Sequence, residues 1–225
     1  MLLSEELALV AFDAGSGRAA LGTRSELEAA LAGLLVAELV LGGHASIGPD
    51  DKKVMPGDTP PASPALAAAF TVVAGRGPKI KAVLSAMSGG LSRELGSGTW
   101  DTAVEGLVAA GVLGPAEGRL RPRHAVLDPA ARDAVLVRLQ AAARGEGGGD
   151  ADGIRTAALL SMTGPAHLLE RIVPRRSERR DGRRRIDHAL DGTALAAVAK
   201  AVRAVISDAA SAAAGAATVA ATGSS

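Results

Sequence analysis

The chain has 225 residues, which corresponds to about one domain and is long enough to bury a substantial core. It has no cysteine, so disulfides, zinc–thiolate sites and thiol catalysis are excluded. The formal net charge is only +1, which excludes a globally basic nucleic-acid-binding protein, and aromatic residues make up 1% of the chain, so the core must consist of Leu, Val, Ile and Ala.

The first third of the chain predicts a short helix followed by a long apolar one. Ser4 can cap a helix that ends near Phe12. Ser25 and Glu28 fit the S-x-x-E capping box, which predicts that a second helix begins here and runs to about Val40. Apolar residues surround this second helix on nearly every face, so we expect it to be central and buried.

The rest of the chain predicts a mainly α fold, with one helical domain over residues 1–207 and one or two small β-hairpins. Turn residues between short semi-apolar runs predict hairpins near residues 44–56 and 113–126. A glycine-rich linker loop lies near residues 145–153, and the Ala, Gly, Ser and Thr composition of residues 208–225 predicts a frayed or disordered tail. Further helices are predicted near 63–75, 78–87, 100–110, 128–143, 153–162, 165–173, 184–190 and 193–207.

No segment reads as a signal peptide or a membrane span. The N-terminal apolar run lacks a basic region and contains Glu5 and Glu6. The most apolar stretch ends at Gly42 and contains Glu38, so it is too short and too charged to span a bilayer. We therefore expect a cytoplasmic protein whose contact with a membrane is peripheral, on the inner face.

The strongest local feature is an arginine cluster between residues 171 and 185, within which no residue from 175 to 185 is apolar. One interpretation is a phosphate-binding surface, because guanidinium groups make bidentate contacts to phosphate oxygens. The other is a solvated segment whose charges pair with one another at i,i+4 spacing, with Gly182 weakening any helix. The candidate anionic-lipid-binding residues are Arg171, Arg175, Arg176, Arg179, Arg180, Arg183, Arg184 and Arg185.

Patterns that would indicate catalysis or metal binding are missing. The four histidines have no metal-ligand spacing, and no nucleophile elbow, phosphate-binding loop or dinucleotide fingerprint occurs. We therefore expect no enzyme activity, no metal and no cofactor. Glu38 is expected to be satisfied by a hydrogen bond or an arginine, because an isolated buried charge is unfavourable. Trp100 is either a core anchor or an exposed interfacial residue.

The order of several segments resembles the Golgi phosphoprotein 3 family, and more closely its bacterial, actinobacterium-like single-domain members, over about residues 1–206. The segments are LLSEELALVAFDAGSG, ALAGLLVAELVLGGHASI, SPALAAAF, VEGLVAAGVL, RTAALLSM and RRRIDHAL. The resemblance implies a central hydrophobic helix, surrounding amphipathic helices and a protruding β-hairpin. It also implies a non-enzymatic adaptor that binds phosphatidylinositol 4-phosphate and the cytosolic tails of membrane proteins, with the hairpin assisting membrane contact and self-association.

The resemblance does not carry the family's headgroup pocket onto this chain. That pocket uses a Trp and an Arg near the start of the central helix and two Arg that lead the helix ending in V-x-x-G-V-L. The matching positions hold Gly22, Ala32, Ser97 and Trp100, none of the expected type, although Arg24 lies near the first pair. The family's late basic run matches Arg183–Arg185, so anionic phospholipid in general is the expected ligand.

Three hypotheses for the function follow. The first is a non-enzymatic, peripheral phospholipid-binding adaptor that uses the arginine cluster, with membrane contact also from the 113–126 hairpin through Arg119, Arg121 and Arg123. The second is a protein–protein scaffold without a lipid ligand. The third is a winged-helix-like nucleic-acid-binding module, but its recognition helix at 25–40 would carry three Glu and no basic residue, so we do not expect nucleic acid as a partner.

Overall fold

Helices dominate the part of the chain that the structure describes, which confirms the predicted mainly α fold class. The computed structural model describes residues 1–19, 24–76, 79–88, 98–118, 122–146 and 150–222. Within these ranges the elements are α1 (Leu3–Ala11), α2 (Arg24–Leu41), β1 (Ala45–Ile47), β2 (Val54–Pro56), α3 (Pro64–Gly75), α4 (Ile80–Ser88), α5 (Thr99–Ala109), α6 (Pro129–Arg144), α7 (Ala151–Thr163), α8 (Leu169–Ile172), α9 (Arg176–Leu190) and α10 (Ala194–Thr222).

Helix α2 is the axis of the fold, as the sequence predicts. Every residue from Leu27 to Leu39 is buried, and α2 contacts α1, α3, α4, α5, α7 and α10. Gly33 allows two of these helices to approach closely, because a Cβ atom there would overlap Val202 of α10 and lie 3.4 Å from the Met162 methyl group of α7. A helix buried all round has to be apolar on every face, which is why α2 shows no polar stripe.

The carboxylate of Glu28 caps a neighbouring helix rather than its own. Helix α2 begins at Arg24, so the predicted capping box at Ser25 is wrong. The buried Glu28 carboxylate instead accepts hydrogen bonds from the backbone N–H of Thr99 at 2.9 Å and of Trp100 at 3.3 Å. These are donors that the first turn of α5 cannot satisfy internally, and a negative charge at that helix end is stabilising.

Glu38 does the same for α1, near the other end of α2. Its Oε1 atom accepts the backbone N–H of Leu3 at 2.7 Å, and its Oε2 atom accepts from Arg155 at 2.7 Å. Burial lowers the pKa of the Arg155 guanidinium, but the hydrogen bond to Glu38 and the nearby negative charges of Glu38, Glu6 and Asp152 together outweigh this, so the pKa is raised above the ordinary value. In the neighbouring pair of Glu6 and Arg138, burial raises the pKa of the Glu6 carboxyl despite the opposing charge of the arginine.

One of the two predicted hairpins is a regular ladder. Strands β1 and β2 pair antiparallel with Ala45 opposite Pro56 and Ile47 opposite Val54. The segment predicted as a second hairpin forms two isolated antiparallel bridges, Leu113 with Val126 and Glu117 with Arg123. Residues 119–121 lie outside the described residues.

Local capping defines the connection between α6 and α7. Asp128 caps α6 by accepting the N–H of Ala131 at 2.9 Å, and Gly145 ends α6 in the left-handed conformation at φ 84°. Asp150 then caps α7 by accepting the N–H of Gly153 at 2.8 Å. The predicted linker loop at 145–153 therefore contains a helix end and a helix start, and residues 147–149 between them lie outside the described residues.

Two helices are longer than the sequence predicts. Helix α10 continues to Thr222 rather than ending near residue 207, in keeping with the high helix propensity of its many alanines. Helix α9 begins at Arg176 rather than near residue 184, because it is held by packing on one face and not by its composition. No helix in the described ranges is long and apolar enough to cross a bilayer.

Candidate anion-binding surface

Helix α9 carries most of the predicted arginine cluster and has two distinct faces. Gly182, Ile186 and Leu190 are buried at i,i+4,i+8 spacing, against α6 and α7. Gly182 is part of this packing, since a Cβ atom there would lie 3.3 Å from the carbonyl oxygen of Ala143 on α6. The buried face fixes the rotation of the helix and directs most of its arginines toward solvent.

Three of the eight candidate arginines donate hydrogen bonds to main-chain carbonyl oxygens. Arg171 donates to the carbonyl oxygen of Ala11 at 3.1 Å, and Arg185 donates to that of Ala143 at 3.0 Å. Arg179 donates to the carbonyl oxygens that precede α9 and pairs with Glu170 at 3.3 Å, with 19% of its side chain exposed. These guanidinium groups hold α8 and α9 in place. Arg179 is the most fully engaged of the three, whereas Arg171 and Arg185 each make a single hydrogen bond and are otherwise exposed.

A fourth candidate is paired within its own helix turn. Arg175 precedes α9 and forms an exposed ion pair with Glu178 at 3.2 Å. Exposed pairs of this kind contribute about 0–1 kcal/mol and break readily, so Arg175 is open to exchange its partner.

The remaining four arginines form the exposed candidate site. Arg176, Arg180, Arg183 and Arg184 are exposed and make no ion pair within the described residues. Together with Ser177, Arg179 and the acidic Glu170 and Asp187, they line a groove of about 800 Å³, which we call the basic groove. Four unneutralised guanidinium groups along two adjacent helical rows present a surface suited to phosphate oxygens.

The second candidate region is only partly described. Arg123 is exposed, and its backbone N–H and C=O exchange hydrogen bonds with Glu117 at 2.9 and 2.8 Å. Arg119 and Arg121 lie outside the described residues. Arg123 is not among the residues that line the basic groove, which all belong to α8 and α9.

Trp100 serves as an anchor at the edge of the core. It is partly buried, and its ring lies 5.4 Å from the ring of Phe12, which in turn lies 5.6 Å from that of His124. His124 is held by Gly114, whose carbonyl oxygen lies 2.9 Å from His124 Nδ1. The aromatic side chains thus join α1, α5 and the 113–126 segment, which no spacing in the sequence predicts.

The described residues contain no group of three His, Cys, Asp or Glu side chains that could hold a metal ion. The histidines are spread over the fold: His44 and His124 bond to carbonyl oxygens, and His167 lies 2.9 Å from Glu26. The exposed arginines of α9 therefore remain the candidate site in the described part of the chain.

Comparison of the whole sequence with protein families identifies the chain. The sequence model of Golgi phosphoprotein 3 matches residues 3–209. The chain belongs to the Golgi phosphoprotein 3 family. The match spans α1 to α10 as far as residue 209, so the basic groove lies inside the family domain. A search of curated proteins gave no match.

The structure describes two of the four positions that the family resemblance predicts to match a headgroup pocket. Ala32 is fully buried within α2, and Trp100 packs on Phe12. Gly22 and Ser97 lie outside the described residues. Arg24 is exposed but lies between Asp101 at 3.0 Å and Glu28 at 3.4 Å, so its charge is already matched by two carboxylates.

Proposed function

We propose that this member of the family is a non-enzymatic, peripheral adaptor that binds anionic phospholipid headgroups in the basic groove of α9. The observation that carries the proposal is the set of four exposed arginines that form no ion pair in the described part of the chain. Family membership supports an adaptor role similar to that of Golgi phosphoprotein 3. The partners would be anionic lipids on the cytoplasmic face of a membrane.

The proposed mechanism is electrostatic capture. Each basic side chain near an anionic leaflet contributes about 1 kcal/mol to the binding free energy, so four together contribute about 4 kcal/mol. Each planar guanidinium group is able to donate two parallel hydrogen bonds to one phosphate. Since exposed charges are screened over about 10 Å in 0.1 M salt, binding should weaken steeply as salt is raised.

We propose binding to anionic lipids in general rather than to one phosphoinositide. The residue types of the family's headgroup pocket are absent at Ala32 and Trp100, and Arg24 is engaged by two carboxylates. The basic groove is lined by side chains of α9 and by Glu170 of α8, and its guanidinium groups suit a phosphate group without selecting the rest of the headgroup. As an adaptor, the protein would also bind the cytosolic tails of membrane proteins. It would self-associate through the 113–126 segment, as the family resemblance suggests.

The test is co-sedimentation with vesicles of phosphatidylcholine alone or mixed with phosphatidylglycerol, cardiolipin or phosphatidylinositol 4-phosphate, at low and high salt. We expect binding to every anionic mixture, none to the neutral vesicles and loss in high salt. A variant with Arg176, Arg180, Arg183 and Arg184 changed to Gln should bind at least tenfold more weakly, because about 1.4 kcal/mol already corresponds to tenfold.

A charge-matched control separates the groove from net charge. Lys52, Lys53, Arg76 and Lys79 are also exposed, form no ion pair in the described ranges and line no part of the basic groove. Changing these four to Gln removes the same charge and should leave binding within about twofold of the original protein. Equal losses in both variants would contradict a site on α9, and no vesicle binding by the original protein would favour a scaffold with protein partners alone.

A further inference from the structure

An apolar cleft lies directly beside the basic groove, between α7, α9 and α10. Its walls include Leu160, Pro165, Leu169, Ile186 and Ile206, and its volume is about 510 Å³. That volume lies within the range of about 300–1,000 Å³ that is usual for small-molecule sites. The sequence does not point to this cleft, because Ile206 is separated from α9 by the first half of α10.

Polar groups in the cleft are either already bonded or at its rim. Ser161 Oγ donates to the carbonyl oxygen of Ala158 at 2.7 Å, so it has no further proton to donate. Asp187 and Arg203 form an ion pair at 3.7 Å, and Arg183 stands beside them. The interior therefore offers carbon surface, and a polar occupant would lose its bonds to water without replacing them.

The cleft and the basic groove share part of their lining. Arg183 and Asp187 line both, so the two depressions adjoin at these side chains. We propose that they form one site for a single anionic lipid, with the phosphate on the free arginines and one acyl chain in the apolar cleft. This inference rests on the proposed function and adds that the protein withdraws a chain from the bilayer.

An acyl chain fits the cleft better than a peptide segment does. A peptide carries an N–H and a C=O group at nearly every residue, and each needs a partner when it is buried. Among the lining side chains only the hydroxyl groups of Ser161 and the exposed Ser207 are possible partners besides the charged groups at the rim, so most groups of a buried peptide would go unpaired, whereas a hydrocarbon chain requires no partner. Each methylene that leaves water contributes about 0.8 kcal/mol, or about fourfold in affinity.

The test uses monomeric lysophosphatidylglycerol, below its micelle concentration, with decanoyl and dodecanoyl chains. Glycerol 3-phosphate and dodecanoyl lysophosphatidylcholine are compared by calorimetry on the full chain. The variant Gly164→Leu plugs the cleft without changing charge. Gly164 has helical dihedrals (φ −64°, ψ −58°), and the nearest atom to an added Cβ is Arg183 Nη2 at 3.9 Å, so the backbone accepts a side chain there.

Two further variants show whether an effect of Gly164→Leu comes from blocking the cleft or from misfolding. Gly75→Leu makes the same change at the end of α3, where an added Cβ meets nothing within 4 Å, and it should bind as the original protein does. Ala210→Leu blocks the cleft from α10, the opposite wall, at an exposed position. Equal melting temperatures of all variants show that the fold is kept.

We expect the dodecanoyl lipid to bind about tenfold or more tightly than the decanoyl lipid, which follows from two buried methylenes. Gly164→Leu and Ala210→Leu should abolish this dependence on chain length while leaving binding to glycerol 3-phosphate unchanged. The neutral lysophosphatidylcholine should bind at least tenfold more weakly than the anionic lipid of equal chain length.

Chain-length dependence that survives in both plugged variants would overturn the proposal, as would its absence in the original protein. In either case salt-sensitive vesicle binding that is lost in the four-arginine variant would leave the proposed function standing. If vesicle binding were absent as well, both the proposed function and this inference would be contradicted. Tight binding of an acidic amphipathic peptide, displaced by Gly164→Leu, with no binding of the lipid, would assign the cleft to a protein partner instead.

Discussion

At the scale of single residues, buried carboxylates connect the helices of this fold. Glu28 and Glu38 stand on the central helix, and each accepts backbone N–H groups from the first turn of another helix. A carboxylate in this position satisfies donors that a helix cannot satisfy internally and interacts favourably with the helix dipole. The two residues thus act as long-range caps, which fix where α5 and α1 begin relative to α2.

The change Glu28→Ala should lower the free energy of unfolding by about 2 kcal/mol, because it leaves buried N–H groups of Thr99 and Trp100 without an acceptor. Urea unfolding followed by the fluorescence of Trp100, the only tryptophan, measures the loss. Glu105→Gln, at an exposed position of α5, serves as the control and should change stability by less than about 0.5 kcal/mol. Equal effects of the two changes would contradict the capping role.

At the scale of elements, some arginines of α9 hold the helix against the domain and others face solvent. One face packs Gly182, Ile186 and Leu190 on the domain, and Arg179 and Arg185 hold carbonyl oxygens at its flanks. The other face leaves a row of guanidinium groups free. A composition without apolar residues from 175 to 185 is therefore compatible with a packed helix, because a glycine supplies the close contact that an apolar side chain would otherwise make.

The change Gly182→Val tests this contact. The Cβ atom alone would lie 3.3 Å from the Ala143 carbonyl oxygen, and two more methyl groups must push α9 away from α6. We expect a loss of about 1–3 kcal/mol in the free energy of unfolding, which is typical of overpacking. Ala189→Val places the same side chain at an exposed position of α9 and should have little effect on chemical denaturation. A stable Gly182→Val protein would show that α9 and α6 are not closely packed.

At the scale of the whole molecule, α2 organises the domain because neighbouring helices approach it closely on all sides. At Gly33 helix α10 approaches closely, since a Cβ there would overlap the Val202 side chain. Small residues at such crossings let backbones approach, and they set how closely the outer helices surround the central one.

A double-mutant cycle tests that approach. Gly33→Ala should destabilise the protein by about 2 kcal/mol through overpacking, and Val202→Ala by about 2 kcal/mol through a cavity. The double variant should lose less than the sum by at least about 1 kcal/mol, because the smaller side chain makes room for the added methyl group. Gly33→Ala combined with Val73→Ala on α3, whose side chain supplies none of the three atoms nearest to a Cβ added at Gly33, should be additive. Additivity in both pairs would contradict the close crossing of α2 and α10.

The sequence by itself determined the helical class, the burial of α2, the β1–β2 hairpin and the concentration of arginines on one segment, because these depend on local composition and periodicity. The tertiary structure decided the rest. The sequence does not show which backbone N–H groups a carboxylate will contact, so only the packing shows that Glu28 caps α5 and not α2. Likewise, eight arginines look alike in sequence, and only the positions of distant carbonyl oxygens, carboxylates and apolar walls separate those that hold the fold together from those left free beside a cleft.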